Sequence, residues 1–157
     1  MSEPTHVSHH HDVHDLPVDS DVERATAPHL SAEIFGVIAV GGALGSLARW
    51  SLGEWLGGRF PWATLAVNVT GGLALGIVMV LVVEVWPTSR HLRTFVGVGV
   101  LGGWTTFSTF ALDVRRLLAD GEPGLASLYL LGTLVGGLAA VWGGIAMTEK
   151  TLDRVQP

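Results

Sequence analysis

From Ile34 onward the chain is written as four apolar runs separated by short turn-forming links. Each run is close to the roughly 20 residues that a bilayer core demands of a spanning helix. They cover about Ile34 to Leu52, Trp62 to Val85, Leu92 to Leu118 and Leu125 to Met147. The links contain Gly57-Gly58-Arg59-Phe60-Pro61, Pro87-Thr88-Ser89-Arg90 and Asp120-Gly121-Glu122-Pro123-Gly124, which are turn compositions too short to hold a soluble domain. Lipid offers backbone groups no water, so runs of this length predict an all-α integral membrane protein with four transmembrane helices, over about residues 33–148. A hydrophobic content of 48% with only 15% charged residues and 21 glycines fits that class. Trp50, Trp55, Trp62, Trp86 and Trp142 fall near run ends, where amphipathic rings favour the headgroup zone.

Residues 1–32 differ in kind. They carry six of the seven histidines, including His9-His10-His11 and His14, and no long apolar run, so they are expected to form a disordered His/Asp-rich tail. The tail lacks the basic start and apolar centre of a signal peptide. Its His/Asp clustering could bind a transition metal weakly. Residues 149–157 read as a short polar C-terminal tail. The net charge of -5 is concentrated at the N-terminus, since seven of the fourteen acids lie in the first 33 residues. With no cysteine in the chain, disulfides and thiolate-bound metals are excluded.

The least lipid-like stretch is Gly102-Gly103-Trp104-Thr105-Thr106-Phe107-Ser108-Thr109-Phe110, set inside the third run. Adjacent glycines followed by four hydroxyls predict a third helix broken near Gly102–Thr106, because freed carbonyls and hydroxyls survive in a membrane only against protein, an ion or a water-filled path. Phe107 and Phe110 are three apart and share a helix face, as do Thr106 and Thr109. A ring's positive edge can face an anion. Asn68, an amide near mid-membrane in the second run, either clamps two helices or donates hydrogen bonds to a passing anion. Asp113 reads as an interfacial carboxylate in preference to a pore-mouth residue.

Charge gives almost no orientation. With four spans, one side of the membrane holds Arg24, Arg90, Arg93, Lys150 and Arg154, and the other holds Arg59, Arg115, Arg116 and a snorkelling Arg49. So even a split suggests insertion both ways, with two copies meeting antiparallel. Small residues four apart, Gly41 and Gly45, Gly132 and Gly136, Ala140 and Gly144, would let helices approach closely. Four thin helices enclose little, so function is expected to need an oligomer.

At these residues the sequence resembles the fluoride channel family, the Fluc or CrcB proteins. The string GGWTTFSTF at 102–110 looks like the family signature. Gly41-Gly42-Ala43-Leu44-Gly45-Ser46-Leu47-Ala48-Arg49-Trp50 is similar to its first-helix pattern, and Thr64-Leu65-x-Val67-Asn68-x-x-Gly71 with Gly76 to its second. Tyr129 and Thr133 resemble its fourth-helix tyrosine and hydroxyl pair. The resemblance implies a fluoride-selective channel in the cell membrane that lets fluoride leave the cytoplasm passively. It also implies an antiparallel dual-topology homodimer with two pores. Asn68 would be the pore amide, Phe107 and Phe110 the rings facing fluoride, and Thr106, Ser108, Tyr129 and Thr133 hydroxyls along the route. Arg49 would sit near a vestibule. Backbone carbonyls of Gly102 and Thr105 from both subunits would hold a structural sodium ion. Three features depart from the family pattern: Trp104 replaces a smaller apolar residue, Asp113 stands where glutamate is common, and the histidine-rich tail is additional.

Two other classes fit less well. A proton-coupled exporter of cationic drugs needs a mid-membrane carboxylate, and the first run has none between Ile34 and Leu52. A non-transporting scaffold leaves Asn68 and the hydroxyl-rich signature without a purpose. No nucleophile, base and orienting group occur together in the spans, so an enzyme is not expected.

Overall fold

The computed structural model describes residues 28–85 and 90–155. The chain divides into two units, Met1–Ala32 and Glu33–Pro157. In the first unit the described residues 28–32, expected as the end of the disordered tail, are helical, and the rest of the expected disordered, His/Asp-rich tail, residues 1–27, lies outside the described residues. The second unit is the helical domain.

Its elements are α1 (Pro28–Trp55), α2 (Trp62–Glu84), α3 (Arg90–Arg93), a π-helical segment (Thr94–Val100), α4 (Leu101–Trp104), α5 (Phe107–Ala119) and α6 (Pro123–Val155). Four stretches are long and apolar enough to cross a membrane: Ala32–Trp55, Trp62–Glu84, His91–Ala119 and Pro123–Arg154. At about 1.5 Å per residue, the 23 residues of α2 reach roughly 35 Å, enough for a hydrocarbon core of about 30 Å. This is a multi-pass membrane protein. Large apolar side chains on the outside, such as Phe35, Leu138 and Trp142, suit contact with lipid tails. Residues 149–155, expected as a polar tail, continue α6 as helix, because Glu149, Lys150 and Arg154 favour helix once a preceding turn is in place.

Glycines set the helix spacing. A Cβ on Gly45 would run into the carbonyl of Val100, and one on Gly103 into the carbonyl of Gly42, so α1 and the third span touch backbone to backbone. On the other side a Cβ on Gly76 would meet the Val141 carbonyl and one on Gly144 the Leu73 carbonyl, which seats α2 against α6. Gly132, expected in the same role, has no neighbour within 4 Å.

The α5–α6 turn is fixed by Gly121 at φ 75, with Glu122 N–H donating to Leu117 O (2.9 Å) and Gly121 N–H to Leu118 O (3.1 Å). These bonds satisfy the last carbonyls of α5, and Pro123 then opens α6 at a position where its missing N–H costs nothing. An Arg59–Glu122 ion pair ties this turn to the α1–α2 link. Beneath it lies a small core of Leu117, Ala126 and Tyr129, packed by Phe60, Leu65 and Phe110.

Candidate functional site at the interrupted third span

The third span changes course between α4 and α5. Thr105 (φ -77, ψ 158) and Thr106 (φ -151, ψ 126) are extended, whereas Gly102 and Gly103 remain helical. Of the glycine pair, Gly103 serves close approach to α1, and the extension falls on β-branched residues, which tolerate it well. Thr105 N–H still closes on Leu101 O (2.9 Å), but the ladder stops there, and in a membrane the backbone groups freed at the interruption need partners from elsewhere.

Those partners come from both flanking helices. Asn68 of α2 donates from Nδ2 to Thr106 O (3.0 Å) and accepts the Thr106 N–H at Oδ1 (2.9 Å). Arg49 of α1 donates from Nε to Gly103 O (3.0 Å), and Ser46 Oγ reaches the same carbonyl at 3.5 Å. Thr105 turns its hydroxyl back to Leu101 O (2.9 Å). Thr106 Oγ1 caps α5 by accepting from Thr109 N–H (3.2 Å), the usual task of a threonine N-cap. The α5 N-terminus therefore opens beside the extended pair, where its dipole favours negative charge.

A cavity of about 510 Å³ lies against this interruption. Asn68, Gly102, Thr105, Thr106, Phe107, Phe110 and Thr133 all line it, and none of its lining residues is charged. Thr133 Oγ1 is buried and has no hydrogen-bond partner among the described residues. Asn68 spends one of its two amide hydrogens on Thr106 and keeps the other. A second cavity of about 300 Å³ is lined by Ser46, Arg49, Thr64, Thr106 and Thr109. Thr106 borders both.

Aromatic rings continue the first cavity inward. Phe107 and Phe110 have centroids 6.0 Å apart, and Phe110 lies 5.4 Å from Tyr129. Tyr129 is fully buried and meets the edge-on ring of Phe60 at 5.7 Å. Phe107, by contrast, is 78% exposed in the single chain.

Of the residues singled out from sequence, Asn68, Thr106, Phe107, Phe110 and Thr133 thus meet at one cavity together with Gly102 and Thr105. Tyr129 stands one layer behind Phe110, and Arg49 borders the neighbouring cavity. Ser108 is exposed, and among the described residues its hydroxyl has one hydrogen-bond partner, the Thr106 hydroxyl at 3.4 Å. Asp113 differs from its expected setting. It is only 7% exposed, with Oδ2 accepting from Thr64 Oγ1 (2.7 Å) and from Tyr129 OH (3.4 Å). It faces inward because it falls three residues after Phe110, on the same face of α5. Thr64 and Ser46 were not singled out, although Thr64 lies four residues before Asn68 and so shares its helix face, which was the available signal.

Comparison with known proteins adds an independent finding. The profile of the family described as CrcB-like protein, Camphor Resistance (CrcB), matches residues 36–145. The chain is 49% identical over 120 residues to a protein of Nocardia farcinica named fluoride-specific ion channel FluC 2, covering 74% of this chain and 86% of that one. It is 44% identical over 119 residues to fluoride-specific ion channel FluC of Rhodospirillum centenum, covering 73% and 94%. The FluC of Thermus thermophilus is likewise 44% identical over 119 residues, covering 73% and 93%.

Proposed function

The chain belongs to the CrcB-like family, and from that membership and the geometry of the interrupted span we propose that it is a fluoride-selective channel. It is not an enzyme, for the family is one of ion channels by the names of its members. The observation that carries the reading is the uncharged cavity on which Asn68, Thr106, Phe107, Phe110 and the unpartnered Thr133 hydroxyl converge beside the α5 N-terminus.

Fluoride is small and holds its water tightly, so a passage must offer donors in place of that water. Asn68 has an amide hydrogen to give, Thr133 a hydroxyl, and Phe107 and Phe110 their positive ring edges. Without a fixed cation in the cavity, binding stays weak enough for release. Ser108 and Tyr129 extend the hydroxyl series on either side, and Arg49 marks the neighbouring vestibule. Passive efflux then protects the cytoplasm, because fluoride that enters as neutral HF ionises inside.

The finer reading is an antiparallel homodimer with two pores. Support comes from Phe107, which is too exposed in one chain to enclose an ion, and from the even arginine split. Gly102 and Thr105 border the cavity, Gly102 with open space around it, and their carbonyls are hard oxygen donors of the kind sodium prefers. Two copies would supply four such carbonyls, enough to hold a structural sodium ion. When bound, the ion would supply a fixed positive charge between the pores.

The test is efflux from liposomes holding the purified full-length protein, with fluoride compared against chloride. Fast fluoride efflux with chloride retained is expected. Equal efflux of the two anions, or none of either, would sink the reading.

A further inference from the structure

Trp104 stands in the middle of the third span, where an indole N–H meets no water and must find a partner in the protein. It finds one on α2. Its Nε1 donates to Thr70 Oγ1 at 3.0 Å, and Thr70 passes its own hydroxyl hydrogen to Ala66 O at 2.6 Å. The hydroxyl thus uses its hydrogen on one side and a lone pair on the other, an arrangement in which each bond strengthens the next.

The position of this chain of bonds matters. Trp104 directly precedes the extended pair, and Asn68, two residues before Thr70 on α2, holds Thr106 through both of its amide atoms. The residues on either side of Thr105 are therefore each fastened to α2 by separate side chains. Between them the Thr105 methyl lies against Gly71, where a Cβ would collide with it and would stand 3.1 Å from Trp104 Cδ1. Thr105 is confined from three directions.

We infer that Trp104 and Thr70 form a latch that positions Thr105 and Thr106, making Trp104 a positioning residue for the interrupted span and not only a bulky filler. The inference rests on the channel reading for its effect on transport, but the latch itself is read without fluoride. In the full-length protein in detergent, Trp104→Phe and Thr70→Val should each speed amide exchange at Thr105 through Thr109 about five-fold, the usual consequence of losing one hydrogen bond. Exchange in α6 should stay unchanged. Because both substitutions break the same bond, the double variant should exchange no faster than the faster single. Thr70→Ser, which keeps the hydroxyl, should exchange like the wild type, and so should Trp142→Phe, an outward-facing tryptophan. In liposomes the two singles should also lose about two-fold or more of fluoride efflux while Thr70→Ser keeps it. Wild-type exchange in both singles, or a double variant whose acceleration is the product of the two, would overturn the latch. Failure of the wild type to pass fluoride would count against the channel reading alone and leave the exchange result standing.

Discussion

Asn68 and Thr106 exchange two hydrogen bonds across the contact between α2 and the third span, amide to carbonyl at 3.0 Å and backbone N–H to amide oxygen at 2.9 Å. A single side chain thereby satisfies both backbone groups of an extended residue that the bilayer could not solvate. The same side chain borders the uncharged cavity. Holding the interruption and offering a donor to an anion are therefore joint tasks of one residue.

Removing that amide should be costly. Asn68→Ala or Asn68→Leu leaves the Thr106 N–H unpaired, at about 1–3 kcal/mol, and a barrier increase of about 1.4 kcal/mol slows a rate ten-fold. Fluoride efflux from liposomes should fall by at least about an order of magnitude. Efflux at the wild-type rate would show that Asn68 takes no part in the route.

The ring pair separates transport from folding. Phe107 is largely outside the single chain, so Phe107→Ile should leave the thermal midpoint in detergent nearly unchanged yet suppress fluoride efflux, because isoleucine lacks a positive edge. Phe110→Ile should lower both, since that ring packs on Tyr129. Phe95→Ile, in the π-helical segment, is the control that should transport normally. If Phe107→Ile and Phe110→Ile conduct like the wild type, these rings only pack helices.

Backbone contact between α1 and the third span makes small substitutions severe. Gly45→Ala and Gly103→Ala each place a methyl into a carbonyl of the facing helix, and overpacking of this kind costs about 1–3 kcal/mol. Their midpoints in detergent should drop well below that of Gly143→Ala, whose added methyl meets nothing within 4 Å. Equal midpoints for the three variants would contradict the observed spacing.

Buried hydroxyls around Asp113 give a graded series. Asp113→Ala removes the acceptor of both Thr64 and Tyr129, stranding two hydroxyls at about 1–3 kcal/mol apiece, while Asp113→Asn keeps an oxygen in the place of Oδ2, which accepts both, but as a weaker, uncharged acceptor. Chemical denaturation in mild detergent should rank wild type above Asn above Ala. A variant series without that order would mean the carboxylate is not held as described.

Antiparallel assembly is tested by topology. A tag at the C-terminus should be reachable by an impermeant reagent from both faces of the membrane, in two populations of similar size. Labelling from one face only would rule out dual topology and with it the two-pore dimer.

Much of this protein is legible before any coordinates. Bilayer thickness sets the length of a span, so runs of about 20 apolar residues disclose four helices without knowledge of their packing. Scarcity identifies the site: an amide, two phenylalanines and a file of hydroxyls stand out among aliphatic residues because lipid tolerates polar groups only where they have a task. Helical spacing even assigns shared faces, as for Phe107 with Phe110. What periodicity supplies is a face, however, and not the partner that the face meets.

The partners were decided by tertiary structure. Asn68 and Thr106 are 38 residues apart, and their pairing exists only because α2 lies beside the interruption. The same holds for Arg49 with Gly103, 54 apart, and for Asp113 with Thr64, 49 apart, which turned an expected interfacial carboxylate inward. The extended residues fell on Thr105 and Thr106 and left Gly102 and Gly103 helical, with Gly103 needed where its backbone meets the Gly42 carbonyl of α1. Local composition determined how many helices there are and which residues are costly in lipid, whereas the long-range contacts that meet that cost depend on which helices become neighbours, a property that no single stretch of sequence contains.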